Sequence, residues 1–257
     1  MLRIVADLGN SRLKWGMLDA RRNLVESITL PLDDPRAWSS AWRKWNPVSA
    51  PAVWSISTVN PPVAEVLGNY LADLGPLKIR WFRSAADIPV RHALEFPQTA
   101  GADRALAVAA AVALNPLPPG IVISCGTAIT VERISSDGIW QGGAIAPGFG
   151  LSARALHLQT AQLPLVAPRI APPAWGSSTL PALEAGIYWG VIGSIREILT
   201  HQAADLDTTP WLIWTGGDAS ILAPSISWKS SQVVPDLVLQ GLAQSFPDCG
   251  EDDESLA

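Results

Sequence analysis

Asp7, Gly9, Asn10, Ser11 and Lys14 stand within one short stretch, directly after the apolar run Ile4-Val5-Ala6. A strand that ends in a carboxylate and turns at a glycine can do phosphate chemistry. Glycine lets the backbone come close to a phosphate oxygen, and Asn10 and Ser11 supply donors beside it. Asp7 can hold Mg²⁺ through water, as Mg²⁺ prefers where substrate phosphates share the site. The same residues also suit an ordinary hairpin turn, so this motif alone leaves both readings open. A second copy narrows them. Ile121-Val122-Ile123 leads into Ser124-Cys125-Gly126-Thr127-Ala128, with Gly126 and Thr127 in register with Gly9 and Asn10. Two such hairpins imply two related half-folds that hold a polyphosphate between two sets of turn amides and hydroxyls. Thr215-Gly216-Gly217 adds a third glycine turn, suited to the ribose or base side of a nucleotide.

Gly101-Ala102-Asp103-Arg104 sits where a loop enters an alanine-rich stretch. Asp103 there can cap a helix. It can also serve as a base for a substrate hydroxyl, since the adjacent Arg104 cation favours the ionised carboxylate.

Other chemistries find no motif. There is no GxxxxGK[ST] loop, no kinase VAIK and HRD pair, and no CxxC or HExxH metal motif. His92, His157 and His201 are isolated. Cys125 and Cys249 are too far apart to imply a disulfide framework.

These residues need a scaffold, and the chain is large enough to build one. Its 257 residues are 48% apolar and only 16% charged, which suits a substantial core rather than a disordered chain. Net charge is -5, but Asp248, Glu251, Asp252, Asp253 and Glu254 carry five of the acids, and the other 18 balance 18 bases. A near-neutral body without a basic run argues against nucleic acid as partner. No signal-peptide pattern opens the sequence and no apolar run reaches membrane-spanning length, so the expected place is the cytoplasm, with no membrane partner.

Strands are expected at the two apolar runs, at Leu13–Leu18 and Ile129–Ile134 after the turns, and at Ala52–Ser57, Ile79–Phe82, Trp140–Ala146 and Trp211–Trp214. Helices are expected at Pro62–Leu74, Ala102–Leu114, Leu151–Leu158, Leu183–Ala203 and Leu237–Gln244. Trp38, Trp42 and Trp45 share one helical face, which reads as core rather than a base-stacking platform. Alternating strands and helices make the class α/β. The prolines at 116, 118 and 119 place the division there: residues 1–116 as one half, 117–247 as the other, and 248–257 as an acidic tail.

Taken together, the motifs resemble the type III pantothenate kinases, also called the CoaX or Bvg accessory factor family. The resemblance spans nearly the whole chain. It rests on Asp7-Leu8-Gly9-Asn10-Ser11 with Lys14, on Gly101–Arg104, on Gly126-Thr127-Ala128 and on Gly142 to Gly148. It continues through Thr160-Ala161, Leu163-Pro164, Thr179, Thr215-Gly216-Gly217 and Gly241-Leu242, in the family's order. It implies an actin-like ATPase (ASKHA) fold with two ribonuclease-H-like halves. It implies ATP-dependent phosphorylation of pantothenate, the first step of coenzyme A biosynthesis, in a homodimer whose pantothenate pocket lies near the subunit interface. By that resemblance the ATP-binding residues are Asp7, Leu8, Gly9, Asn10, Ser11, Arg12, Leu13, Lys14 and Thr127. The pantothenate-binding residues are Gly101, Ala102, Asp103, Arg104 and Thr179, with Asp103 as proton acceptor and Asp7 holding Mg²⁺ through water.

The sequence departs from the family pattern in places. Ser124 replaces an aspartate associated with a monovalent cation (K⁺ or NH₄⁺), so any cation there meets a hydroxyl without charge. Glu132 replaces a usual aspartate, Ser11 a usual threonine, and Leu94 a frequent tyrosine. A non-catalytic homologue that binds nucleotide or pantothenate and acts through protein contacts is the alternative. A phosphotransferase or phosphohydrolase acting on another acceptor is a third reading, opposed by the intact Gly101–Arg104 stretch.

Overall fold

The structure is a computed structural model that describes residues 1–75 and 77–246. The acidic tail and Cys249 lie outside the described residues. Within them, one strand pattern occurs twice. The first sheet has the order β3-β2-β1-β4-β5, built from β1 (Leu2–Leu8), β2 (Leu13–Leu18), β3 (Leu24–Leu30), β4 (Ala52–Thr58) and β5 (Leu77–Phe82). β1, β2 and β3 form an antiparallel meander, and β4 and β5 add in parallel to the other edge of β1.

The second sheet repeats that arrangement as β8-β7-β6-β9-β10. Its strands are β6 (Gly120–Cys125), β7 (Ala128–Ile134), β8 (Trp140–Pro147), β9 (Trp211–Thr215) and β10 (Ser231–Val233). Here β6, β7 and β8 are the meander, and β9 and β10 the parallel pair. The repeat read from two short turns is thus a repeat of whole sheets.

The chain forms two compact units. One comprises Met1–Pro89, Pro97–Leu106 and a segment that begins at Val238; the other comprises Val90–Phe96 and Ala107–Leu237. A cut at 116/117 falls inside the second unit, because helix α3 (Ala102–Leu114) crosses from one set of contacts to the other and α7 (Leu237–Gln244) returns to the first.

In the first unit, α1 (Pro35–Trp45) starts at Asp34, whose carboxylate accepts from the Arg36 and Ala37 amides. That caps the helix and fixes its tryptophan face. Trp38, Trp42 and Trp45 pack with Trp15, Trp54, Ile4, Ala6 and Ile56 on one face of the sheet. Trp15 and Trp54 meet edge to face at 5.0 Å, and Trp38 Nε1 donates to Pro31 O at 2.8 Å. The stripe is core, as its spacing implies. The opposite face meets α3 and α7. Gly16 leaves room for Leu239 of α7, and Gly241 of α7 lies against the Leu106 backbone of α3. Helix α2 (Pro61–Ala72) begins at Asn60, whose side chain accepts from the Val63 amide.

In the second unit, Ile121, Ile123, Cys125, Val131 and Trp214 form one sheet face beneath α4 (Phe149–Leu158) and α5 (Thr179–Ala203). Helix α6 (Ala219–Leu222) follows the β9 turn. Helix α5 begins four residues before the apolar pattern, at Thr179. Strands β3 and β10 carry no clear sequence signal. β3 is an edge strand whose Val25 is exposed and whose Glu26 pairs with Lys44 of α1 at 2.6 Å. β10 is three exposed residues.

Candidate active site

In the first unit the β1–β2 turn is held by its ends. Leu8 and Leu13 are fully buried, and the Gly9 amide donates to Arg12 O at 3.1 Å. The glycine amide is therefore used inside the turn. The donors that face outward belong to Asn10 and Ser11, which are exposed with Arg12. Lys14 lies not in the turn but on β2, opposite Asp7, and Asp7 in turn aligns with Ser57 on β4. Because neighbours across a sheet share a face, Lys14, Asp7 and Ser57 form one row on the face away from the tryptophans. Asp7 is half-buried, with its Oδ1 shielded from solvent.

The Gly101–Arg104 stretch meets the end of β1 around Val59. The Val59 amide donates to Leu8 O at 3.3 Å, and Val59 Cγ1 would lie 3.1 Å from a Cβ on Gly101. That Cβ would also strike Asp103 Oδ1, so Gly101 is the space into which the carboxylate folds. Asp103 occupies the second position of α3, and its Oδ1 accepts from the Arg104 amide at 2.9 Å. The positive end of the helix favours the ionised form there. A half-buried ionised carboxylate suits proton acceptance. The first unit thus holds the strand-end aspartate, the exposed turn residues Asn10 and Ser11, and the loop carboxylate.

The second unit gathers Ser124, Thr127 and the Thr215–Gly217 turn. The Gly126 amide donates to Ala128 O, and the Gly148 amide donates to Thr127 O, both at 3.1 Å. Thr127 is held half-buried at the tip. Gly216 has φ +93°, and a Cβ there would run into the Cys125 backbone. The Asp218 amide donates to Cys125 O at 3.1 Å, so the third turn is laid directly on the second hairpin. Ser124 aligns with Thr130 on β7 and Thr215 on β9, a row of three neutral hydroxyls where the first unit has Lys14, Asp7 and Ser57.

Beside the third turn is a recess of about 320 Å³ lined by Phe149, Arg169, Ile170, Tyr188, Asp218 and Ile221. The ring of Phe149 stacks on that of Tyr188 at 5.8 Å. Flat apolar walls with a few polar groups suit a heteroaromatic ring and its sugar. Thr179 is the exposed first residue of α5. Leu94 packs toward Gly142, and its amide donates to His92 Nδ1 at 3.3 Å. Burial, aided by the Asp218 carboxylate, pushes the Cys125 thiol up to about 12. It stays protonated near neutrality and is no nucleophile. Buried Glu132 accepts from Trp140 Nε1 at 3.0 Å.

Among the described residues no three His, Cys, Asp or Glu side chains form a metal cluster, and no helix is long and apolar enough to cross a membrane. Mg²⁺ fits this site in another way, through one carboxylate, water and substrate phosphates. Sequence reading missed Ser55 and Ser57. Their signal is the alternation Trp54-Ser55-Ile56-Ser57, which sets two fully buried hydroxyls on the face opposite the tryptophans.

Comparison with known proteins agrees with this geometry. The sequence profile of the type III pantothenate kinase family matches residues 3–201. A type III pantothenate kinase of Porphyromonas gingivalis is 35% identical over 249 residues, covering 93% of this chain and 95% of that one. Among solved structures, a Baf family protein of Campylobacter jejuni superposes with a TM-score of 0.59 at 20% identity, over 94% of this chain and 96% of its own. A protein of Sinorhizobium meliloti described as a 2-dehydro-3-deoxygalactonokinase gives 0.56 at 10% identity, over 95% and 97%. The fold is the actin-like ATPase (ASKHA) fold, with two ribonuclease-H-like halves.

Proposed function

The chain belongs to the type III pantothenate kinase family, and we propose on that premise that it transfers the γ-phosphoryl group of ATP to the primary hydroxyl of pantothenate. The product is 4'-phosphopantothenate, the first intermediate on the way to coenzyme A. The observation that carries this reading is the pairing, within one unit, of the Asp7 hairpin with the Asp103 loop around Val59.

Asp103 takes the hydroxyl proton as the pantothenate oxygen bonds to the γ-phosphorus. The bond from that phosphorus to the bridging oxygen breaks, and ADP leaves with the electron pair. Asn10, Ser11, Lys14 and Thr127 bind phosphate oxygens. Asp7 would hold Mg²⁺ through water, and the ion would offset phosphate charge. Arg104 and Thr179 bind pantothenate, whose carboxylate suits the guanidinium. The recess beside Gly216 takes the adenosine end.

K⁺ or NH₄⁺ dependence is expected to be weak. Ser124, Thr130 and Thr215 can ligate a monovalent cation only as neutral oxygens, and no charge in that row offsets the cost of dehydrating it. The test is ATP consumption with pantothenate in Tris or Na⁺ buffer, titrated with K⁺. We expect turnover in both, changed by less than about fivefold; no pantothenate-dependent ADP under any cation would refute the kinase reading.

The active form is a homodimer joined through the α4–α5 face of the second unit. Leu158 is 71% exposed there, and Leu156, Leu180 and Trp189 are also exposed. A groove of about 300 Å³ runs between Leu156 on α4 and Gly186 and Gly190 on α5. An apolar surface of this kind marks an interface, and Thr179 sits at its edge. Sedimentation should give twice the chain mass at micromolar concentration, and a monomer at that concentration contradicts the assignment.

A further inference from the structure

The row Lys14–Asp7–Ser57 contains one group for which neither the fold nor the mechanism has yet given a use. Ser57 is fully buried, and its Oγ has no hydrogen-bond partner in the structure. A buried hydroxyl left idle is destabilising, so β4, whose core-facing residues are Ala52, Trp54 and Ile56, gains nothing structurally from it. Ser57 is the register partner of Asp7, on a strand about 4.8 Å away. Asp7 presents a shielded oxygen, Oδ1, while its side chain as a whole is only half-buried.

The internal repeat adds an independent observation. Thr215 stands to Ser124 as Ser57 stands to Asp7, and it too is a buried hydroxyl. Ser55 is a second idle buried hydroxyl, one row further from the turn and opposite Val5. Its counterpart in the repeat, opposite Val122, is Ile213. The hydroxyl recurs beside the turn in both sheets and does not recur one row away.

We propose that Ser57 is a positioning residue for the metal-nucleotide site: its hydroxyl donates to the shielded oxygen of Asp7 and so turns the other carboxylate oxygen toward hydrated Mg²⁺. Serine has three staggered χ1 positions through which its hydroxyl can turn. A charge-assisted hydrogen bond of this kind helps to fix the plane of the carboxylate. The inference rests on the kinase reading for the identity of the ligand, but its test reads binding and not turnover.

The experiment is calorimetric titration of the full chain with β,γ-imido-ATP, once with saturating Mg²⁺ and once in EDTA, together with thermal melting. Without ligand, Ser57→Ala should melt at or above the wild-type temperature, because the hydroxyl is idle in the unliganded structure, and it should bind the magnesium-nucleotide about tenfold more weakly. Its affinity in EDTA should stay within about twofold of wild type. Ser57→Thr, which keeps the hydroxyl, should recover most of the loss. Ser55→Ala should raise the melting temperature similarly and leave both affinities unchanged. Unaltered magnesium-nucleotide affinity in Ser57→Ala overturns the proposal. So does an equal loss in EDTA, or the same loss in Ser55→Ala. Failure of the wild type to bind nucleotide at all would overturn the kinase reading, and this inference with it.

Discussion

Asp103→Asn should lower kcat by about 10² to 10⁴, the usual weight of a general base, in a protein that still folds and still binds both substrates. The asparagine oxygen can go on accepting from the Arg104 amide, which Asp103 Oδ1 now does at 2.9 Å, and it fits the space left by Gly101. What it cannot do is take up a proton at neutral pH. The folded state loses one charge at a helix start, about 0.3–1 kcal/mol, or a few degrees of melting temperature at most. The KM for ATP should move by less than about threefold. Steady-state kinetics with both substrates, beside a melting curve, separates these quantities. A variant that keeps more than half the wild-type kcat removes Asp103 from the role of base and leaves it as a helix-start residue. A rate loss in step with a loss of fold would point the same way.

Much of this was legible in the chain because its signals are local. Asp7 to Lys14 and Ser124 to Ala128 announce strand, turn and strand within a dozen residues, and the structure returns both hairpins. The Trp38, Trp42 and Trp45 face is a helical period and is buried as one. What was not legible depends on lateral register. Nothing in the order of residues says that Ser57 lies beside Asp7, or that Lys14 belongs to a sheet row rather than to the turn tip. Both follow from which strands pair, and the parallel pairing of β1 with β4 is fixed only once α1 has carried the chain across the sheet. β3 was missed because its inward residues other than Leu30 are only half-buried, and β10 because it is short and exposed. The units were harder still. Val90–Phe96 packs with the second unit because Arg91 O and the Ala93 amide bond to Trp140, a pairing across many residues that no linker composition reveals.

The remaining large effect is expected at the other carboxylate. Asp7→Ala should lower kcat/KM for ATP about 10²-fold, roughly 2.7 kcal/mol at 1.36 kcal/mol per decade, and leave pantothenate affinity within about threefold. The side chain lies near the end of β1 on the face shared with Lys14 and Ser57, next to the exposed turn residues Asn10 and Ser11. Removing it deletes the anionic group in that row and so the metal-facing charge. Leu8 and Leu13, which anchor the hairpin, are untouched, and the fold should persist. Calorimetry with each ligand separately distinguishes this from a general collapse of the site; equal losses for ATP and pantothenate would show that Asp7 supports the binding of both ligands rather than phosphate and metal alone. The result also bears on Ser57. If its hydroxyl acts only through the Asp7 carboxylate, adding Ser57→Ala to Asp7→Ala should weaken magnesium-nucleotide binding no further, the non-additivity expected of two groups that work as one. If the two losses add, each group contacts the ligand independently, and the row is a set of separate ligands rather than a carboxylate and the hydroxyl that aims it.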